Sequence, residues 1–167
     1  MGELLLRSTA WLSLVAWAGS EWERTRARPA AGVRCARGLF TAGGALLLVH
    51  SLVAFHVRHA WSQAAALQDT ARQTEAVTGL AVGAGLFVNY AFVVLWLAEI
   101  AWWWRSPDGY VQRSRAVDRA VRGFFLFMFA NGAFVFVRAP ARWLGAAALI
   151  VVLAAWYRGA GAGTTNG

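Results

Sequence analysis

The stretch that decides the fold is GLAVGAGLFVNYAFVVLWLAEIAWWW, residues 79–104, in which Glu99 is the one charged side chain. A transmembrane α-helix needs about 20 predominantly apolar residues, and this run exceeds that. Trp102, Trp103 and Trp104 close it. Three successive indoles step around most of a helix's girth and form an aromatic belt at headgroup level. Working outward, four more apolar runs occupy residues 4–22 (broken early by Arg7), 38–57, 123–137 and 143–157. Together they predict an all-α, polytopic integral membrane bundle of five transmembrane helices. The last two runs have 15 uninterrupted residues each, so Arg122, Arg138, Arg142 and Arg158 would snorkel to extend them. The alternative is four spans plus a re-entrant hairpin turning at Pro140. One transmembrane domain covers residues 1–158, and the Gly-rich tail 159–167 reads as disordered.

Composition agrees. Hydrophobic residues make up 59% of the chain and charged residues 14%, against about 25% charged in soluble domains. The net charge of +8 comes from 16 basic residues, every one an arginine, against 8 acidic ones. Such a balance also suits nucleic acid, but these arginines lie in loops between apolar runs, so they speak for topology and against a nucleic-acid face. The lone Cys35 excludes an internal disulfide or a CxxC zinc site. No P-loop, Gly-x-Ser-x-Gly or DDxxD motif is present.

Arginine placement orients the bundle. The loops at 19–37 and 105–122 carry five arginines each and Arg158 makes eleven on one side, against Arg7, Arg58, Arg72, Arg138 and Arg142 on the other. The positive-inside rule makes the eleven-arginine side cytoplasmic. The protein is then expected in the cell membrane, with the N-terminus outside and the C-terminus inside. Ala16-Trp17-Ala18 resembles a signal-peptidase site, but an N-terminus on the outside argues against cleavage.

The outer loop, residues 58–78, has helical composition without Gly or Pro. It predicts a bend after His59, anchored by Trp61, and a surface helix over 62–77 with Ala60, Ala64, Leu67 and Ala71 on its apolar stripe.

Polar side chains within spans are costly and point to partners or cavities. At 1.5 Å rise per residue, His50, Asn89 and Asn131 fall about 12, 15 and 9 Å below the outer surface. This predicts one polar layer. Asn89, Phe92, Trp96, Glu99 and Trp103 form one stripe, and Phe124, Phe127, Asn131, Phe134 and Arg138 another. An aromatic space with a few polar groups is how ligand sites are built. A pocket for an apolar small molecule or lipid is therefore expected, walled by Phe92, Trp96, Phe127 and Phe134 with Arg138 at its mouth. Interhelical hydrogen bonding alone explains the same residues. His56 and His59, three apart, share a face and suit a metal ion. A haem would take His50 as single ligand or bridge two copies. Glu99 pairs with an arginine of the next loop, such as Arg119 or Arg122, or couples protons. Gly79 and Gly83 suggest close helix packing. The reading is a small, non-catalytic accessory or structural subunit in the lipid bilayer, within a larger membrane complex or a homo-oligomer. The alternatives are a haem- or metal-binding redox protein and a small proton-coupled transporter.

Overall fold

The computed structural model describes residues 1–26, 30–135 and 141–162, without the side chains at 30, 31, 134, 135, 141, 142, 144 and 159–162. The described residues are all-helical: α1 (Gly2–Arg26), α2 (Ala30–His59), α3 (Gln63–Thr78), α4 (Gly85–Arg105), α5 (Pro107–Val111), α6 (Arg115–Val135) and α7 (Ala141–Ala162). Two helices are long and apolar enough to cross a membrane, Gly32–His59 and Gly85–Arg105, and a shorter apolar helix covers Gly145–Arg158.

The five long helices close a ring in which α1 contacts α2 and α7, α2 contacts α4, and α6 joins α4 to α7. The α1–α2 seam is the most extensive, because small side chains let the backbones approach. Ser13 Oγ donates to the Gly43 carbonyl and Ser20 Oγ to the Ala36 carbonyl, both at 2.8 Å. Each hydroxyl thereby satisfies itself on the neighbouring helix, as a polar group in an apolar interior must. Gly43 and Gly44 serve the other side of α2. A Cβ on Gly43 would lie 2.9 Å from the Trp96 ring, and one on Gly44 would lie 2.5 Å from Ile100 Cδ1. The bare backbone admits the Trp96 indole, whose N–H donates to the Phe40 carbonyl at 3.1 Å.

Aromatic rings fill the ring's centre: Trp17 of α1, Phe40 of α2, Phe92, Trp96 and Trp103 of α4, and Phe125 and Phe129 of α6 are all buried. Trp17 stacks on Phe129 at 4.8 Å, and Phe92 and Trp96 each meet Phe125 edge-on at 4.9 Å. Quadrupole-matched pairs of this kind stabilise beyond their buried area.

The chain does turn after His59. Ala60 and Trp61 take φ of 46° and 64°, a left-handed conformation uncommon for non-glycine residues. Ser62 then caps α3, its Oγ accepting from the Ala65 N–H, and Gly79 ends it at φ 78° with its N–H on the Glu75 carbonyl. The face of α3 toward the bundle centres on Ala66, which is fully buried, while the predicted Ala64 is exposed.

Three boundaries differ from expectation. Residues 79–84 are not part of α4, which starts at Gly85, so Gly79 and Gly83 do not form a helix-packing pair. Gly83 instead allows a close approach to α3, where a Cβ would meet the Leu67 carbonyl oxygen at 2.7 Å. α6 begins at Arg115, well before its apolar run, and α7 continues through 159–162, the first part of the expected tail. Residues 163–167 lie outside the described residues.

Candidate functional site

The chemistry gathers at the arginine-rich end of the ring. Glu21, at the end of α1, is only 1% exposed and Glu99 of α4 only 4%. A charge out of water must be paired and hydrogen-bonded, and both are. Glu21 accepts from Arg24 Nη1 at 2.9 Å and from the Trp156 indole N–H at 2.7 Å, and lies 3.0 Å from Arg122 Nε. Glu99 pairs with Arg113 and accepts from the Tyr110 hydroxyl at 2.9 Å.

Asp118, one turn into α6, joins the two groups. It binds Arg24 Nη2 at 3.0 Å, Arg113 Nη2 at 2.7 Å and Arg122 Nη1 at 3.2 Å. Three carboxylates and three guanidiniums thus connect α1, α4 and α6 with the α5–α6 loop, and Trp156 adds α7. Burial by itself raises the Asp118 pKa, but Arg24, Arg113 and Arg122 outweigh it and hold the carboxyl below its ordinary value. Burial pushes the Tyr110 hydroxyl up, so it stays protonated and donates.

A short helix makes this geometry possible. Pro107 occupies the first turn of α5, where its missing N–H costs nothing. The single turn carries Tyr110 back under α4, where it stacks on Trp103 with centroids 4.5 Å apart and planes 11° apart. Arg113 follows, lies 4.4 Å from the Tyr110 centroid, and reaches Glu99. Beside the network opens a cleft of about 500 Å³, lined by Arg24, Arg113, Arg115, Arg119, Arg122 and Asp118 over an apolar floor that includes Trp103.

The residues expected to form a polar layer have different surroundings. His50 faces the α1–α2 seam, with Nδ1 2.9 Å from the Leu6 carbonyl oxygen and 3.5 Å from Thr9 Oγ1. Asn89 is exposed. Its expected depth assumed helix from Gly79, whereas α4 starts at Gly85, so Asn89 is only about 6 Å along it. Asn131 is half-buried, and no hydrogen bond joins His50, Asn89 and Asn131 among the described residues. Phe92 and Trp96 belong to the aromatic core, as their stripe predicts, with Glu99 and Trp103. On α6 the inward face is Phe125, Met128 and Phe129, and Phe127 is 57% exposed. Of the expected α6 stripe, Phe124 meets Phe92 edge-on at 5.9 Å and Phe127 points outward. Phenylalanines surround that helix, and the anchors Asp118 and Arg122 select which of them turn inward. The side chains of Phe134 and Arg138 lie outside the described residues.

Glu99 finds an arginine of the following loop, as expected, but it is Arg113 rather than Arg119 or Arg122. His56 accepts the Trp61 indole N–H at 3.1 Å, and His59 instead lines a small cleft with Arg58, Asp69 and Arg72. No group of three or more His, Cys, Asp or Glu side chains suited to a metal ion occurs among the described residues.

Glu21, Arg24, Tyr110, Arg113, Asp118 and Trp156 were not singled out from the sequence. Two signals were there to find: Asp118, Arg122, Phe125 and Phe129 repeat on one helical face, and Ser106-Pro107 marks a helix start. Set against known proteins, the chain matches no family model, no curated protein and no solved structure.

Proposed function

We propose that the chain is an integral membrane protein in which α1, α2, α4, α6 and α7 span the bilayer, with the arginine-rich end in the cytoplasm and α3 lying along the outer surface. The observation that carries this is an inverted polarity. Large apolar side chains face outward on all five long helices: Leu12, Leu52, Val94, Phe127 and Ile150 are exposed. Thr9, Ser13, Ser20, Glu21 and Glu99 are buried instead. A folded chain in water keeps ionisable groups outside and does not surround itself with a continuous apolar face; lipid as solvent accounts for both.

Within that setting the function is non-catalytic, that of an accessory or structural membrane subunit. The three carboxylates of the polar end are each committed to guanidiniums on other segments or turns. The network ties helix ends together, as a scaffold requires. Alkaline carbonate extraction of membranes, combined with C-terminal reporter fusions, tests the reading. The protein is expected to stay in the pellet, with a cytoplasmic fluorescent reporter active and a periplasmic phosphatase reporter silent. Release into the supernatant would contradict it.

A further inference from the structure

Charge accounting at the polar end leaves a remainder. Arg24, Arg113 and Arg122 are matched by Glu21, Glu99 and Asp118. Arg115 and Arg119 also line the cleft, are exposed, and have no carboxylate partner among the described residues. Their positions are unfavourable for the helix itself. Arg115 begins α6, where the macrodipole disfavours a cation, and like charges four residues apart repel. Arg119 Nε donates to the Arg115 carbonyl at 3.2 Å, which seats this guanidinium back over the first turn.

A second observation is independent of charge. Among the described residues, two buried side-chain polar atoms lack a hydrogen-bond partner, Trp103 Nε1 and Arg122 Nε. The second lies 3.0 Å from Glu21 Oε2 but out of line for a hydrogen bond. Both are donors, and both residues line this cleft. A cavity with two surplus guanidiniums, walled by residues whose buried N–H donors lack a hydrogen bond, is short of acceptor oxygens. Planar guanidiniums match phosphate oxygens two at a time.

We propose that this cleft binds a phosphate-bearing anion, with Arg115 and Arg119 as its direct contacts and the neutral Glu21–Arg122–Asp118–Arg24–Arg113–Glu99 network as the rigid wall that places them. Val33 and Val111 on the rim offer apolar contact for whatever carries the phosphate. Anionic lipid headgroups of the cytoplasmic leaflet and soluble phosphates share this chemistry. The lipid source rests on the membrane reading above; the phosphate chemistry does not.

The test uses the full-length protein in nanodiscs of phosphatidylcholine alone or of equal parts phosphatidylcholine and phosphatidylglycerol. Thermal unfolding and native mass spectrometry are the readouts, and inorganic phosphate is titrated into the first set. Retained phosphatidylglycerol with a raised unfolding temperature supports the site with lipid as source. Stabilisation by inorganic phosphate supports it with a soluble source. In either case Arg115→Ala/Arg119→Ala should weaken the response roughly tenfold or more per guanidinium removed. Arg34→Ala/Arg105→Ala, which removes two exposed arginines outside the cleft, should leave it unchanged. No response in either arm, an undiminished response in the first variant, or equal loss in the second would each overturn the site. Failure of carbonate retention would sink the membrane reading and leave the inorganic phosphate arm to decide this one.

Discussion

The two ends of the bundle hold their helices together in different ways. At the α3 end, the outer one in the proposed topology, Arg58 meets Glu3 with both side chains about half exposed, Arg72 meets Asp69 within one turn of α3, and Tyr90 donates to Gln63 at 2.8 Å near the surface. Each bond joins two residues and can be exchanged for water. At the arginine-rich end, the inner one in the proposed topology, one buried carboxylate serves several donors, and a single substitution releases groups on up to three helices at once. Exposed pairs contribute about 0–1 kcal/mol. Breaking a buried pair costs about 3–5 kcal/mol, because the abandoned charge stays in the interior.

The sharpest way to break this contrast is to delete one carboxylate from each end. Glu21→Ala leaves three guanidiniums to share two carboxylates and strands the Trp156 N–H, and should cost about 3–5 kcal/mol. Glu3→Ala should cost under about 1 kcal/mol. Unfolding in detergent micelles with increasing denaturant measures both, and similar losses would erase the asymmetry.

Packing is a separate source of rigidity, and glycine substitutions along α2 isolate it from charge. Gly44→Val drives a branched side chain into Ile100 and Trp96 and should cost about 1–3 kcal/mol. Gly38→Ala meets nothing within 4 Å and should instead stabilise by about 0.5–1 kcal/mol through helix propensity. Loss at Gly38 equal to that at Gly44 would mean that the Trp96 contact has been misjudged.

Acid gives a further handle on the inner end. Because the Asp118 pKa is depressed from its ordinary value of 3.8, its contribution is complete above that value and is withdrawn as pH falls through the lower folded-state value. The unfolding temperature should hold steady from neutral pH to about pH 4 and fall below it. In Asp118→Asn that acid limb should flatten from a lower starting point. An unchanged limb would place the acid sensitivity elsewhere.

The smallest effects belong to the polar residues of the outer half. His50→Leu removes the bond to the Leu6 carbonyl and should cost about 0.6 kcal/mol and no more than about 2 kcal/mol. Asn89→Leu, at an exposed site, should show no measurable loss in the same unfolding assay. A large penalty at Asn89 would restore it to the interior.

How far the sequence was legible follows from which periodicities were unambiguous. The α4 stripe from Phe92 to Trp103 could be read because its inward members, Glu99 apart, are the large rings set at helical spacing. It failed at Asn89, since depth was counted from Gly79, and the αL cap there consumes residues that the estimate treated as helix. The turn after His59 was legible from geometry: a second outward run with no glycine or proline has to fold back before the next span. Its left-handed Ala60 and Trp61 were not, because neither residue type announces positive φ. The inner network was hidden by the topology argument itself. Arginines counted as cytoplasmic markers were treated as loop residues, whereas Arg24 lies on an extension of α1, Arg122 within α6, and Arg113 just past a one-turn helix. Long-range pairs such as Glu21 with Trp156 carry no local signal at all.

Cys35 decides whether the charge-knotted end faces the cytoplasm, as the proposed membrane bundle requires. It is the chain's only cysteine, it is exposed, and it lies early in α2 at that same end. An impermeant maleimide added to intact cells should leave Cys35 unlabelled, and labelling should appear once the membrane is permeabilised. Labelling in intact cells would contradict the account.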